Sequence, residues 1–442
     1  MTSHARNTHY VHSDTTENAE AIKLFITSLH PHLGERDAIV VAAPSSLKQH
    51  LQDAVSAACN RDQAGVNRSL RDVLDLQHQL ITETLGEENS VTEATQFLAD
   101  VQNVVKLLKH IPDQTSARFV LSMAATWTAR LIVANLQLAN IDSESIDSCN
   151  LVRTRLGSYL SNETSARNCL QKALTIVPGV AVLPSLAMDE LGNSTDCAAN
   201  HFATFVSRAL NSHSLTMWTN TIEVTSANHA DISSDAMESL SHAEVTELSR
   251  LSHPLFPCLE NITADTDVTI RHIDGECRTA FTITPQPTGV KLVHTVDDIQ
   301  ILHIDCTGSE VSTITSIVEK SLAKVGVQPL ATDIDKEGDK VSLAFPSYMI
   351  EYVRGALRVN QLRALSLETG LALVAIVGDG LEADWLLSFK FQQTLGASIR
   401  MTAKTDVSHI AIVDSIEAAN EAVPAIHAEL IEESSRNAQS SF

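Results

Sequence analysis

The chain has 442 residues, 44% of them hydrophobic but only 4% aromatic. A core of that size fills about two to four domains, and its Leu, Ile, Val and Ala suit α/β layers better than an aromatic-rich β-sandwich. With 54 Asp and Glu against 31 Lys and Arg the formal charge is −23, a field that counts against nucleic acid and anionic membrane surfaces as partners.

Taken in order, residues 19–33 place Ile22, Phe25, Ile26 and Leu29 on one helical face, and 38–43 read as a buried strand. Helical spacing recurs over 69–85, 94–108, 125–139 and 197–210, with short strands near 178–183, 215–219, 268–273 and 279–284. Strands alternating with helices predict a mostly parallel sheet covered on both faces, an αβα sandwich. Pro285-Gln-Pro-Thr-Gly289 reads as a linker. Beyond it the elements shorten and repeat: strand 299–305, helix 310–325, strand 340–345 and helix 347–358, then strand 372–377, helix 384–395, strands 398–402 and 409–413, and helix 415–430. This order predicts two ferredoxin-like βαββαβ modules. The expected division is 1–287, 288–368 and 369–432, with 433–442 a disordered polar tail.

The seven cysteines, Cys59, Cys149, Cys169, Cys197, Cys258, Cys277 and Cys306, are odd in number and form no C-x-x-C pair. That argues against a zinc site or a disulfide framework and predicts a reducing, cytoplasmic setting. Residues 1–14 have no apolar leader core, and the longest apolar runs, such as 371–377, are too short to cross a bilayer. The 18 histidines, including His9, His12, His30 and His32, have no Cys or carboxylate partners at ligand spacing, so no metal site is predicted.

Several stretches together resemble one family. Arg71-Asp-Val-Leu-Asp-Leu76, Leu121-Ser-Met-Ala-Ala-Thr-Trp-Thr-Ala-Arg-Leu131, Leu191-Gly-Asn-Ser-Thr-Asp196 and Met217-Trp-Thr-Asn-Thr-Ile222 are similar, in order and spacing, to segments of an aspartokinase. The resemblance implies an amino-acid-kinase domain followed by tandem ACT domains. It also implies transfer of the γ-phosphoryl of Mg-ATP to the β-carboxylate of L-aspartate, inhibition by lysine or threonine bound between ACT modules, and a homo-oligomer formed through those modules.

Phosphoryl transfer needs fixed donors and cations around the moving group. The family's K-F-G-G-T-S corresponds here to His9-Tyr10-Val11-His12-Ser13-Asp14, so a histidine replaces the lysine, Val11 and His12 replace glycines, and Asp14 adds negative charge. Its S-A-M-G loop corresponds to Ala42-Ala43-Pro44-Ser45-Ser46. The carboxylate of S-Y-G-E falls on Ala125 and the arginine of G-R-G-G-S-D near Gly192, while W-T-D-V-D-G becomes Trp218-Thr-Asn-Thr-Ile-Glu223. What the resemblance carries over is Asp196 as the catalytic aspartate, with Thr195 beside it for substrate, and Thr219 with Asn220 for nucleotide. The plainer reading of Asp196 is an N-cap for the helix starting near Cys197. In the ACT modules the family's G-I-N-V-D turn becomes Gly326-Val-Gln-Pro-Leu330 and Gly396-Ala-Ser-Ile-Arg400, which puts Gln328 and Ser398 at the effector-binding asparagine. These modules either bind an effector or serve only to dimerise.

Two functions follow. One is a catalytically impaired homologue of aspartate-family amino-acid metabolism, with no cofactor assigned to it, that regulates an active aspartokinase relative or senses an amino acid. The other is a divergent aspartate kinase working through Asp196 with Mg-ATP.

Overall fold

The computed structural model describes residues 6–34, 36–152, 163–177, 179–188, 194–196, 199–220, 224–227, 232, 236–251, 266–275, 278–282, 289–306, 311–324, 327–335, 340–359, 362, 364–382 and 384–432. Most of the linker read at 285–289 and the tail at 433–442 lie outside them. In chain order the elements are β1 (Asn7–Val11), α1 (Ala19–Leu29), β2 (Ala38–Val41), α2 (Ser45–Cys59), α3 (Gln63–Leu108), α4 (Gln114–Leu138), β3 (Ser143–Ser145), α5 (Glu163–Ile176), β4 (Val180–Pro184), β5 (Leu186–Met188), β6 (Ser194–Asp196), α6 (Ala199–Leu210), β7 (Ser214–Thr219), β8 (Ser239–Ser241), α7 (His242–Arg250), β9 (Asp267–His272), β10 (Arg278–Thr282), β11 (Leu292–Asp305), α8 (Val311–Lys324), β12 (Ala331–Asp335), β13 (Lys340–Pro346), α9 (Ile350–Val359), β14 (Ala364–Val377), α10 (Trp385–Leu395), β15 (Ile399–Lys404), β16 (Ser408–Val413) and α11 (Ile416–His427). They form two compact units, 1–223 with 257–281, and 224–256 with 282–442. Residues 224–256, which precede the expected boundary at 287, therefore group with the second unit.

In the first unit the strand order is β3-β4-β2-β1-β7-β9-β10. All neighbours are parallel except β10 on β9. Helices α1 to α4 cover one face around Phe25, Leu29, Leu47, Leu51, Val73, Leu131 and the fully buried Trp218. Helix α6 lies against β1 and β2 on the other face and carries α5. Caps fix several helix starts: Asn18 accepts from the Ala21 N–H, Asp62 from Gly65, and Asp113 from Ser116. Inside α3, Gly86 has φ 76° and ψ 163°, so the helix runs as two segments. That is why the sequence shows two helical stretches there. Helix α4 holds the one stretch among the described residues, Thr115–Leu138, that is long and apolar enough to cross a membrane, and 67% of its most apolar window is buried. This corrects the reading that no apolar stretch is long enough; the stretch serves as a core helix.

The second unit is built on two 14-residue strands, β11 and β14, paired antiparallel along their length with register shifts near Val296 and Ile299. The sheet order is β12-β13-β11-β14-β16-β15. The later half of β11, α8, β12, β13, α9 and the early half of β14 make module A, with its core on Leu302, Ile304, Val318, Leu343, Phe345, Val353 and Leu357. The later half of β14, α10, β15, β16 and α11 make module B around Val374, Ile376, Phe391, Ala411, Val413 and Val423. Its fourth strand is the first half of β11, residues 292–296, supplied from upstream rather than after α11. The βαββαβ order is complete in module A; in module B residues 292–296 stand in for the final strand, and the two copies share strands.

Gly179, at the start of β4, has φ +83°, and a Cβ there would lie 2.1 Å from the Asp142 backbone oxygen. Gly179→Ala is expected to destabilise the first unit by about 2–4 kcal/mol. Gly275→Ala, also at positive φ (+81°) but in open space, should cost about 1 kcal/mol. Guanidinium unfolding followed by tryptophan fluorescence separates the two. In the second unit burial pushes His294 down to about 4, against a hydrogen bond with the Leu251 backbone that works the other way. The unfolded chain then binds the extra proton between pH 6.5 and 4, so stability is lost as pH falls through that window, by about 3 kcal/mol in full. His294→Gln should flatten this part of a pH–stability curve.

Candidate functional site

In a parallel sheet of this kind ligands bind beyond the carboxyl ends of the strands. Here those ends are Val11 of β1, Val41 of β2, Pro184 of β4, Thr219 of β7 and His272 of β9. The residues that follow, 12–17, 42–46, 185–188, 220 and 273–275, include no Lys or Arg.

The donors at the two central strand ends already have partners. The backbone N–H groups of Ser45 and Ser46, the first of α2, donate to Glu17 Oε1, the latter at 3.3 Å, and Ser46 Oγ donates to Glu17 Oε2 at 2.5 Å. A helix start is an anion site because its first N–H groups and its dipole both favour negative charge. The Glu17 carboxylate fills that position from within the chain. Thr16 Oγ1 donates to the Ser13 and Ala42 carbonyls at 2.9 and 3.2 Å, tying the β1 and β2 ends together. Thr219 Oγ1 donates to Asp14 Oδ2 at 2.7 Å, Thr15 Oγ1 to Asp14 Oδ1 at 3.2 Å, and His12 Nδ1 lies 3.0 Å from Asp14 Oδ1. The Asn220 carbonyl accepts from His272 Nε2, and His272 Nδ1 lies 2.9 Å from Asp274 Oδ2.

His9, the expected stand-in for a lysine, faces the opposite end of the sheet. Its Nε2 is 3.4 Å from Asp37 Oδ2, and its Nδ1 accepts from the Trp218 ring N–H at 3.3 Å. All three residues are at most 2% exposed, so the imidazole is enclosed in the sheet and does not reach the strand ends. Asp37 also accepts from the Asn7 N–H (2.8 Å), the Asn7 amide (3.2 Å) and the Gly34 N–H (2.7 Å). Burial alone would push the Asp37 carboxyl up. The hydrogen bonds from His9, Gly34 and Asn7 outweigh it and hold the carboxyl below the usual range.

Thr195 and Asp196 lie in β6, paired with Ala187 and Leu186 of β5, and their side chains and Gly192 fall outside the described residues. Thr219 reaches the strand-end cluster, and Asn220 joins it through its backbone. Ala125 is buried in α4. In the second unit Gln328 is exposed in the turn after α8, whereas the Ser398 hydroxyl donates to the Leu395 carbonyl at 2.8 Å. Among the described residues no group of three His, Cys, Asp or Glu could hold a metal ion.

No protein-family model matches the chain. It is 23% identical over 404 residues to the bifunctional aspartokinase/homoserine dehydrogenase 2 of Escherichia coli, which covers 85% of this chain and 49% of that protein. The chain therefore spans about half the length of that relative. The structure of E. coli aspartokinase III in complex with aspartate and ADP (R-state) superposes with a TM-score of 0.80 at 15% identity, covering 96% of this chain and 99% of the other. The structure of the same protein with lysine and aspartate (T-state) gives 0.66 at 15% identity, covering 97% and 99%. The chain has the fold of these aspartokinase structures.

The residues at these strand ends and beneath them that motif reading missed are Glu17 and Asp37. No pattern marks Glu17, because its partners at 45 and 46 are set only by the fold. Asp37 falls between the helix read at 19–33 and the strand read at 38–43, in a stretch that carries no functional pattern. Asp37→Ala would remove the acceptor of four hydrogen bonds inside the sheet. It should lower stability by about 2–4 kcal/mol and shift the Trp218 emission, both read in one denaturant titration.

Proposed function

We propose that this aspartokinase-like chain serves amino-acid metabolism as a regulatory or amino-acid-sensing homologue whose phosphoryl-transfer pocket is closed by its own carboxylates. One observation carries the reading: the N–H groups that begin α2 are held by Glu17, beside a second carboxylate, Asp14, with no Lys or Arg among the strand-end residues. A triphosphate would have to displace Glu17 and approach Asp14 without a counter-charge. Each missing donor of this kind costs about 10²–10³ in rate, and a missing cation costs more at a dissociative phosphoryl transition state. Mg-ATP does not fit that donor set. The structural relatives are named as complexes with ADP, aspartate and lysine, and in this reading the amino-acid ligand is what this chain retains. Gln328, exposed after α8, is the effector contact. Ser398, bonded to Leu395, keeps only its acceptor lone pairs for a ligand. We read the protein as a cytoplasmic homo-oligomer assembled through the ACT-like modules.

The test uses the full chain with Mg-ATP and aspartate. Trapping acyl phosphate with hydroxylamine should give no product above background, and Mg-ATP should leave the melting temperature unchanged. Lysine or threonine should raise it; a ligand at 100 times its Kd adds about 2.7 kcal/mol. Glu17→Gln should make the melting temperature respond to ATP. Aspartyl hydroxamate produced at many turnovers per minute by the wild type would replace this reading with that of a divergent aspartate kinase acting through Asp196 and Thr195.

A further inference from the structure

The last helix of the second unit is irregular on either side of one histidine. Pro424 stands inside α11 with no N–H to give, and from Ala428 to Glu432 the helix widens into a π turn. His427, between the two, is 5% exposed. In an α-helix a side chain five residues further on lies about 140° round the axis. The wider π turn brings Glu432 back to the face of His427, and its Oε1 lies 3.4 Å from the ring Nδ1. The other ring nitrogen, Nε2, lies 2.7 Å from Ser226 Oγ. All three residues belong to the second unit. Both ends of the row are fixed by the fold. The Ser226 carbonyl accepts from the Val293 N–H at 2.8 Å, in the first half of β11, and Ala227 bridges Val293 beside it. In the π turn Glu429 accepts from Thr394 of α10 at 3.1 Å, and Leu430 is buried in the module B core. Ser226 is half-buried, so solvent reaches it, and Glu432 is exposed.

We propose that Ser226, His427 and Glu432 form a nucleophilic serine site that takes the acyl group of a small, neutral, activated ester. The order of the three groups points to this chemistry. A carboxylate beside Nδ1 favours the tautomer that keeps its proton there, which leaves the Nε2 lone pair to accept from the serine hydroxyl. A nucleophile within hydrogen-bond reach of a base, itself oriented by a third group, is the arrangement that activates a hydroxyl. In the step it supports, Ser226 Oγ bonds to the acyl carbon while its proton passes to His427 Nε2. The ester C–O bond breaks and the leaving oxygen takes that proton. Water, giving a proton to the same imidazole, then attacks the acyl carbon, the bond to Oγ breaks, and the proton returns to Oγ as the carboxylic acid departs. The residues next to the three groups, Ala227, Ile426 and Leu430, belong to one apolar core, and the chain carries a formal charge of −23. A short aliphatic acyl group without charge suits both. Ser226 and His427 are the catalytic residues of this site, and Glu432 is a positioning residue. None of them enters the reading of the phosphoryl-transfer pocket.

The experiment uses the full chain with p-nitrophenyl acetate as substrate and a fluorophosphonate to mark the serine, the adduct being located by mass spectrometry. The wild type should carry the phosphonyl group on Ser226 and release p-nitrophenol, and Ser226→Ala should lose both. His427→Gln should slow labelling by about 10²-fold or more. Glu432→Gln should slow it roughly fivefold to tenfold, with Glu432→Asp recovering part of the loss. Ser226→Cys decides the matter if His427→Gln does not fold. Iodoacetamide should modify the new thiol at least about tenfold faster than the exposed Cys59 and Cys169 of the same chain. No adduct on Ser226 in the wild type, an unchanged labelling rate in folded His427→Gln, or a thiol in Ser226→Cys no faster than Cys59 would each overturn the proposal. The three residues would then be a pin that ties the end of α11 to β11. An unchanged rate in Glu432→Gln would overturn the part given to Glu432.

Discussion

Glu17 lies across the start of α2, and the arrangement of the strand ends follows from that one carboxylate. The first N–H groups of a helix can accept only a limited amount of negative charge, and Ser45 and Ser46 give theirs to a side chain fixed by the fold. Because the partner is intramolecular, a diffusing anion has to compete with a group already in place. Asp14 compounds this, collecting the hydroxyls of Thr15 and Thr219. In an acidic chain these internal pairings also keep two carboxylates from repelling each other across the sheet edge.

The second unit handles its buried charge differently. Glu244, Glu247 and Asp379 are each at most 6% exposed. Isolated carboxylates at such depth would be very costly, so each has donors: Lys291 and the Asp379 N–H for Glu244, Arg250 for Glu247, and the Ser241 hydroxyl for Asp379. Burial pushes the Glu244 carboxyl up despite Ser241 and Lys291. For Glu247 burial acts in the same sense, but Arg250 and Ser408 prevail and its carboxyl is held below the usual range. Paired groups of this kind tolerate few alternative geometries, and this fixes α7 on the two modules more tightly than apolar packing alone.

The layered kinase-like sheet was legible because its central strands are continuous apolar runs, such as 38–41 and 180–184, each buried on both faces. Helices with a strong apolar face, α1, α8 and α9, were legible for the same reason. Helix α2 escaped because Ser45, Ser46, Gln49 and Gln52 dilute its apolar face, and α7 because only Val245 and Leu248 mark it, although its Ser241-x-x-Glu244 cap is readable. The site was legible in part. That residues 9–12 hold neither lysine nor glycine can be read from the sequence alone. That His9 turns toward Asp37, and that Glu17 takes the start of α2, depends on contacts 28 residues apart in sequence, which no local pattern encodes. The return of residues 292–296 as an edge for module B was equally hidden, since one 14-residue strand serves two modules.

That shared strand has a practical consequence for anyone dissecting the protein. Cutting the gene between the two ACT-like copies would sever β14 in mid-strand and strip the C-terminal piece of its border strand, exposing a row of unmatched backbone amides along a hydrophobic rim. Neither fragment keeps a complete sheet, and any chimera that exchanges these modules must transplant the whole stretch from Lys291 to the end of α11 as one block.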